Sequence, residues 1–360
     1  MNAWRRLLFP LSFFYGIVVR LRNLFYDRGL LRSERFEVKT IGVGNLTVGG
    51  TGKTPHVEYL VRLLRKRLQV ATLSRGYGRS TKGFLLASTP CNAKMIGDEP
   101  MQYYSKFDDI TVAVGENRAE AIRQLLNMSP RPEAIVLDDN FQHRKVKVDL
   151  QILLLNYENL EKHDLLLPAG DLREPESGAD RADIVIVSKT PSILVPIERK
   201  RILGIVQPRE GQPVFFTYYR YGEFHRLHGK ENVGMMMGAG YYLEKRFTIL
   251  LVAGIANPSG LIEYLRRHTN KLETLVFPDH HSYDEKDLQK IKDTFEDIVN
   301  PNKIIVTTEK DAMRFRQPDI EPMVRQLPFF YVPIEVAFHQ DGDTFDRIIL
   351  EHVGKNNQHR

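Results

Sequence analysis

Seven consecutive residues, Gly49-Gly50-Thr51-Gly52-Lys53-Thr54-Pro55, combine small backbone-exposing positions with a lysine and a hydroxyl. That is the set needed to hold a phosphate chain. Small residues let backbone N–H groups close around phosphate oxygens, and a helix opening there adds the positive end of its dipole. Lys53 supplies a mobile positive charge and Thr54 an oxygen ligand for Mg²⁺. With its lead-in the cradle comprises Thr47, Val48, Gly49, Gly50, Thr51, Gly52, Lys53 and Thr54. The strict G-x-x-x-x-G-K-[ST] pattern would place glycine at Thr47, so the loop is a GG-x-GK-T variant.

Ile135-Val136-Leu137-Asp138-Asp139 is an apolar run ending in acid. At the C-terminal edge of a strand such a carboxylate faces the nucleotide and its Mg²⁺. Gly97-Asp98-Glu99-Pro100 places two adjacent acids between a glycine and a proline, which reads as a loop rather than a helix. On its own it reads better as an exposed acidic turn. Phe277-Pro278-Asp279-His280-His281 follows another apolar run. Consecutive histidines rarely point at one ion, so a general-base or hydrogen-bonding role for one of them fits better than a metal site.

Taken together these segments resemble the motif series of the tetraacyldisaccharide 4′-kinases. The series runs Val43-Gly44-Asn45 with GGTGKTP, SRGYGR (Ser74 to Arg79), GDEP, and DDNFQHR (Asp138 to Arg144). It continues with LPAGDLREP (Leu167 to Pro175), AGIANP (Ala253 to Pro258), FPDHH and TTEKDA (Thr307 to Ala312), all in order over residues 36 to 315. The resemblance implies transfer of the ATP γ-phosphate to the 4′-hydroxyl of a tetraacylated glucosamine disaccharide 1-phosphate. It places that reaction at the cytoplasmic face of the bacterial inner membrane. By the same resemblance Lys53 and Thr54 hold phosphate and Mg²⁺, and Asp98 is the base, paired with His280. Glu99, Asp138, Asp139 and Gln142 order the metal and its waters, and Arg118 lies near the transferred phosphate. Departures from the family pattern fall at Asn140, Val148-Asp149 and Asp171, none among these residues.

Apolar runs alternating with helical patterns predict a mostly parallel α/β sheet of the phosphate-loop type. Strands are expected at Val38 to Val43, Val70 to Leu73, Thr111 to Val114, Ala134 to Leu137, Leu150 to Leu155 and Ile184 to Val187. A helix runs from about Pro55 to Arg67 and another begins near Arg118. Beyond residue 191 the texture changes to prolines, a VFFTYY stretch and Met235-Met236-Met237, the last read as packing or a connector. New strands follow from Phe247, at Leu272 to Phe277, Ile304 to Thr307 and Phe329 to Val332. The division expected is a leader over 1–35, a phosphate-loop domain over 36–210 and a smaller α/β domain over 211–360.

The leader carries seven arginines against Asp27 and Glu34, which accounts for five of the formal net charge of +6. The remaining body is close to neutral, which speaks against a nucleic-acid partner. Leu7 to Val19 is too short for the roughly 20 residues that span a bilayer, but a basic, aromatic-rich stretch suits the membrane interface. The alternative is a helix packed on its own domain. One cysteine, Cys91, excludes an internal disulfide. The tail from Gly354 to Arg360 is polar, and no obligate protein partner is implied. A partitioning ATPase would carry a lysine where Val48 stands, and a GTPase would need an acid where Pro191 follows Val187-Ser188-Lys189-Thr190.

Overall fold

The computed structural model describes residues 3–162, 164–228, 239–269 and 271–354. Met235 to Met237 and the tail beyond Gly354 lie outside them. A short 3-10 turn leads into helix α1 (Phe9–Asp27). The first lobe then builds β1 (Lys39–Asn45), α2 (Lys53–Leu64), β2 (Val70–Ser74), β3 (Leu85–Leu86), α3 (Ala93–Ile96) and α4 (Asp98–Lys106). It continues through β4 (Thr111–Val114), α5 (Arg118–Leu126), β5 (Ala134–Asp138), β6 (Leu150–Asn156), β7 (Ile184–Ser188), α6 (Pro196–Val206) and β8 (Val214–Tyr221).

The second lobe starts at β9 (His225–Arg226) and α7 (Ala239–Glu244), followed by β10 (Thr248–Ala253), α8 (Ser259–His268) and β11 (Leu272–Val276). Next come α9 (Glu285–Glu296), β12 (Lys303–Thr308), α10 (Glu309–Phe315), α11 (Glu321–Val324) and β13 (Phe329–Val332). The chain ends with β14 (Ile334–Phe338) and α12 (Gly342–Gly354).

Nine strands form the first sheet in the order β14-β8-β7-β6-β1-β5-β2-β4-β3, and five form the second in the order β11-β10-β12-β13-β9. The central pairings are parallel, and antiparallel pairs occur at β3–β4, β8–β14 and β9–β13. Central strands are covered by helices on both faces, so they read as apolar runs rather than as alternation. Ile135, Val136 and Leu137 are fully buried. The register sets Val43 of β1 against Asp138 of β5. The loop leaving β1 and the acids leaving β5 therefore emerge at one edge.

The division expected at residue 210 does not match the sheets. β8 adds the VFFTYY stretch to the first sheet, because Phe215 enters the first core beside Ile184 and Ile186. After the second lobe the chain returns, and β14 pairs with β8 while α12 buries Phe345 and Ile349 against α2. A cut placed along the sequence cannot represent that return. The second lobe is thus an insertion between β8 and β14.

Helix α1 hydrogen-bonds its own domain through Tyr15 to the Arg173 carbonyl (2.7 Å), and the Ala169 N–H donates to Ser12 (2.9 Å). Its other face leaves Phe9, Phe13, Phe14, Val18, Leu21 and Phe25 exposed. Among the described residues no helix is long and apolar enough to cross a membrane.

Candidate active site

Lys53 opens α2 directly after Gly52, whose φ of 86° is left-handed and suits a glycine. A Cβ on Gly52 would stand 2.0 Å from the Tyr219 hydroxyl, so β8 packs hard against the loop. His56 donates from Nδ1 to the Gly52 carbonyl (2.7 Å), and its Nε2 accepts from the Thr217 hydroxyl (3.0 Å). Burial pushes this imidazole down to about 4, so it is neutral and the tautomer is fixed by those two partners. The Ser188 hydroxyl donates to the Thr51 carbonyl (2.7 Å). The phosphate loop is therefore pinned from β7 and β8, and within it the Thr51 N–H donates to the Gly49 carbonyl (3.0 Å).

Lys53 donates to Asn45 Oδ1 (3.1 Å) and pairs with Asp139 (3.3 Å). Asp139 also takes both oxygens to Arg173 Nη1 (3.0 and 2.9 Å). Burial opposes its ionisation, but Lys53 and Arg173 outweigh that and hold the carboxyl at about 2. Asp138 differs. It is buried, Oδ2 accepts from Tyr103 (2.9 Å), and Oδ1 is a buried oxygen with no hydrogen-bond partner. Burial raises this carboxyl to about 6, with Lys53 opposing and Asp139 and Glu99 adding to it. An unsatisfied buried carboxylate oxygen beside the helix that carries Thr54 suits a hard cation, so Asp138 and Thr54 fit Mg²⁺.

The other expected metal residues are differently placed. Glu99 pairs with Lys310 (2.9 Å). Gln142 donates to the Asn45 carbonyl (2.8 Å) and to Glu174 (2.9 Å). Among the described residues no three His, Cys, Asp or Glu side chains gather as a cage. That agrees with the habit of Mg²⁺, which takes one or two carboxylates and otherwise phosphates and water. Arg118 is buried at the start of α5, with its guanidinium on the Gly115 (2.7 Å) and Asp138 (2.9 Å) carbonyls. It braces the end of β5 from beneath.

Asp98 is the first residue of α4, not part of a loop as the GDEP segment suggests. Gly97 turns the chain at φ 96°, and Pro100 falls in the first turn, where the missing N–H would have no helical partner anyway. Asp98 Oδ2 accepts from Arg314 Nε (3.0 Å) and Nη2 (2.6 Å) and lies 3.2 Å from His280 Nδ1. Burial works against the charge, but His280 and Arg314 prevail and hold Asp98 at about 2. His280 Nδ1 is then the donor, and its Nε2 accepts from Lys310 (3.1 Å). Oδ1 of Asp98 makes no hydrogen bond among the described residues. His281 turns away to Asp287 (2.7 Å), so His280 is the histidine brought to Asp98.

Arg314 and Lys310 belong to α10 of the second lobe; Lys310 lies within TTEKDA and Arg314 just beyond it, and neither is among the expected site residues. Arg314 is held by the Gly254 carbonyl (2.9 Å) and Asp311 (2.8 Å). Asp311 in turn accepts from the Gly254 N–H, Thr308 and Tyr283. The AGIANP and TTEKDA segments thus build a seat for one arginine, and the available signal was the cation just beyond TTEKDA.

The model of the tetraacyldisaccharide-1-P 4′-kinase family, LpxK, matches residues 4–354. The chain is 44% identical to the tetraacyldisaccharide 4′-kinase of Phocaeicola vulgatus, covering 99% of this chain and 97% of that one. It is 45% identical to that of Parabacteroides distasonis, covering 97% and 95%. Among solved structures it is similar to the Aquifex aeolicus LpxK in complex with ATP, with TM-score 0.71, 29% identity and coverage of 97% and 99%. With a phosphate loop, a paired acid and an Asp–His–Arg cluster set in one fold, the chain belongs to the tetraacyldisaccharide-1-P 4′-kinase family.

Proposed function

We propose that the protein transfers the γ-phosphate of ATP to the 4′-hydroxyl of a tetraacylated glucosamine disaccharide 1-phosphate, giving the lipid A precursor. The observation that carries this is Asp98, ionised and clamped by Arg314, with one oxygen left to accept a hydroxyl proton. Lys53 and backbone N–H groups of the loop hold the phosphates. Thr54 and Asp138 would hold Mg²⁺, which when bound neutralises charge on the phosphoryl oxygens. Glu99, Asp139 and Gln142 act around that pair, Asp139 by fixing Lys53. Asp98 Oδ1 orients the acceptor hydroxyl and takes its proton as the bond to phosphorus forms. His280 steadies the carboxylate from Nδ1. Arg118 is a positioning residue, acting through the Asp138 carbonyl.

Charge spread over the transferred group makes positioning and electrostatics the larger part of the rate, and a base adds about 10²–10⁴-fold. The acyl chains of such an acceptor stay in a membrane, so the site works at its surface. The exposed aromatic face of α1 and the leader arginines dock there, at the cytoplasmic face of the inner membrane. ATP consumption with and without the lipid disaccharide tests the reading. Consumption should depend on the lipid and vanish in a folded Lys53→Ala protein. Lipid-independent hydrolysis would count against a kinase.

A further inference from the structure

Helix α2 opens on a loose first bond. The Gly52 carbonyl, placed to accept the first hydrogen bond of the helix, lies 3.4 Å from the His56 N–H. That is longer than the usual N–H···O distance of about 2.9–3.0 Å. The His56 ring supplies the firmer bond, with Nδ1 at 2.7 Å from the same oxygen. A carbonyl only accepts, so Nδ1 carries the proton of the neutral ring and Nε2 accepts from Thr217 (3.0 Å). His56 is buried, and both of its nitrogens are thereby used.

What the ring fixes is a peptide plane. The Gly52 carbonyl and the Lys53 N–H belong to one trans peptide and point in opposite directions. With the carbonyl held toward His56, the Lys53 N–H is directed to the other side of the loop. Lys53 is the first residue of α2, so its N–H has no partner within the helix. Gly52, at φ 86°, has no side chain to hold that orientation unaided. The seat of the ring comes from β8. Thr217, Tyr219 and Tyr221 alternate onto one face of that strand. Thr217 holds the ring, Tyr219 closes over Gly52, and Tyr221 stacks on Tyr264 of the second lobe (4.4 Å).

We propose that His56 is a positioning residue for phosphoryl transfer, acting through the Gly52 carbonyl to aim the Lys53 N–H and side chain at the phosphates. This rests on reading the loop as the ATP site. Many groups share the binding of ATP, so one loosened donor costs little affinity, whereas transfer demands close alignment. Steady-state kinetics with the lipid disaccharide, on full-length His56→Leu, His56→Asn and Thr217→Val proteins, test it. His56→Leu should lower kcat about 10- to 100-fold, with the KM for ATP within about threefold of the wild type. Asparagine keeps an N–H near the place of Nδ1, so His56→Asn should recover kcat to within about fivefold of the wild type. Thr217→Val frees the ring to tilt and should lower kcat several-fold. A folded His56→Leu protein with unchanged kcat, or with only its KM raised, would overturn the assignment of His56. So would His56→Asn as impaired as His56→Leu. Should His56→Leu not fold, Thr217→Val decides, and wild-type kcat there would overturn the assignment. A wild-type protein without lipid-dependent ATP consumption, or normal turnover by a folded Lys53→Ala protein, would instead overturn the reading of the loop itself.

Discussion

Asp98 and Asp139 are both held near 2, while Asp138 is raised to about 6. The difference follows from partners. Arg314 and His280 meet Asp98, Lys53 and Arg173 meet Asp139, and Asp138 has only a tyrosine hydroxyl. These partners fit the three duties proposed for the acids: proton acceptor for Asp98, lysine anchor for Asp139 and metal ligand for Asp138. Asp98→Asn should therefore lower kcat by about 10²–10⁴-fold, with ATP and Mg²⁺ affinities near normal. His280→Ala should lose less, and the double variant should be little worse than Asp98→Asn, since groups acting as a unit are not additive. Steady-state kinetics over a Mg²⁺ series checks this; rescue of Asp98→Asn by excess Mg²⁺ would reassign it as a ligand. Arg314→Met tests the clamp. It leaves Asp98 half-buried without its ion pair, a loss of about 3–5 kcal/mol for a buried pair, and kcat should fall while the KM for ATP holds.

The strands that carry the site were legible from apolar runs meeting polar or glycine-rich ends, as in Ile135 to Asp139 and in Val43-Gly44-Asn45 leading into the phosphate loop. The helix at Asp98 was not, because Gly97 and Pro100 look like loop punctuation until their places in the first turn are known. Arg314 was hidden for a different reason. It reaches Asp98 from a remote stretch of chain, and no local pattern encodes that meeting. The leader was read as either membrane-facing or packed, and α1 does pack, through Ser12 and Tyr15. It even touches the site indirectly, since Tyr15 bonds the carbonyl of Arg173, the partner of Asp139. Asp171, one of the departures from the family pattern, pairs with Arg5 (2.9 Å). Deleting the leader would confound two effects, so substitution on the exposed face is the cleaner test. Phe13→Ser with Phe14→Ser should weaken binding to anionic vesicles at least several-fold and leave turnover on a detergent-dispersed acceptor unchanged. Equal vesicle binding in a flotation assay would remove α1 as the docking element.

The two lobes meet across a buried charge cluster. Glu58 of α2 and Glu309 of α10 share Lys106 of α4 (2.8 and 2.7 Å), and Gln102 donates to both carboxylates. Burial, then the charge of Glu309, pushes Glu58 up to about 7, with Lys106 and Arg62 opposing. A carboxyl raised on folding binds its proton more tightly in the native state. Its contribution to stability is complete below its ordinary 4.5 and is lost as pH rises through about 7. The urea midpoint should accordingly fall between pH 5 and pH 8, and Glu58→Gln should flatten that profile. An unchanged slope in the variant would place the titration elsewhere.

Tyr221 of β8 and Ile334 of β14 are direct partners in the ladder, and the whole second sheet hangs between them. The insert enters and leaves at one rung, so its own length is topologically unconstrained. Residues added or removed between 222 and 333 leave the pairing of the first sheet intact. A single residue added within β8 or β14 would instead shift every side chain beyond it to the opposite face. Tyr219 would then turn away from Gly52, and Phe338 from the aromatic cluster it forms with Tyr59 and Phe345. Tolerance to insertion and deletion in this chain should therefore change abruptly at that rung.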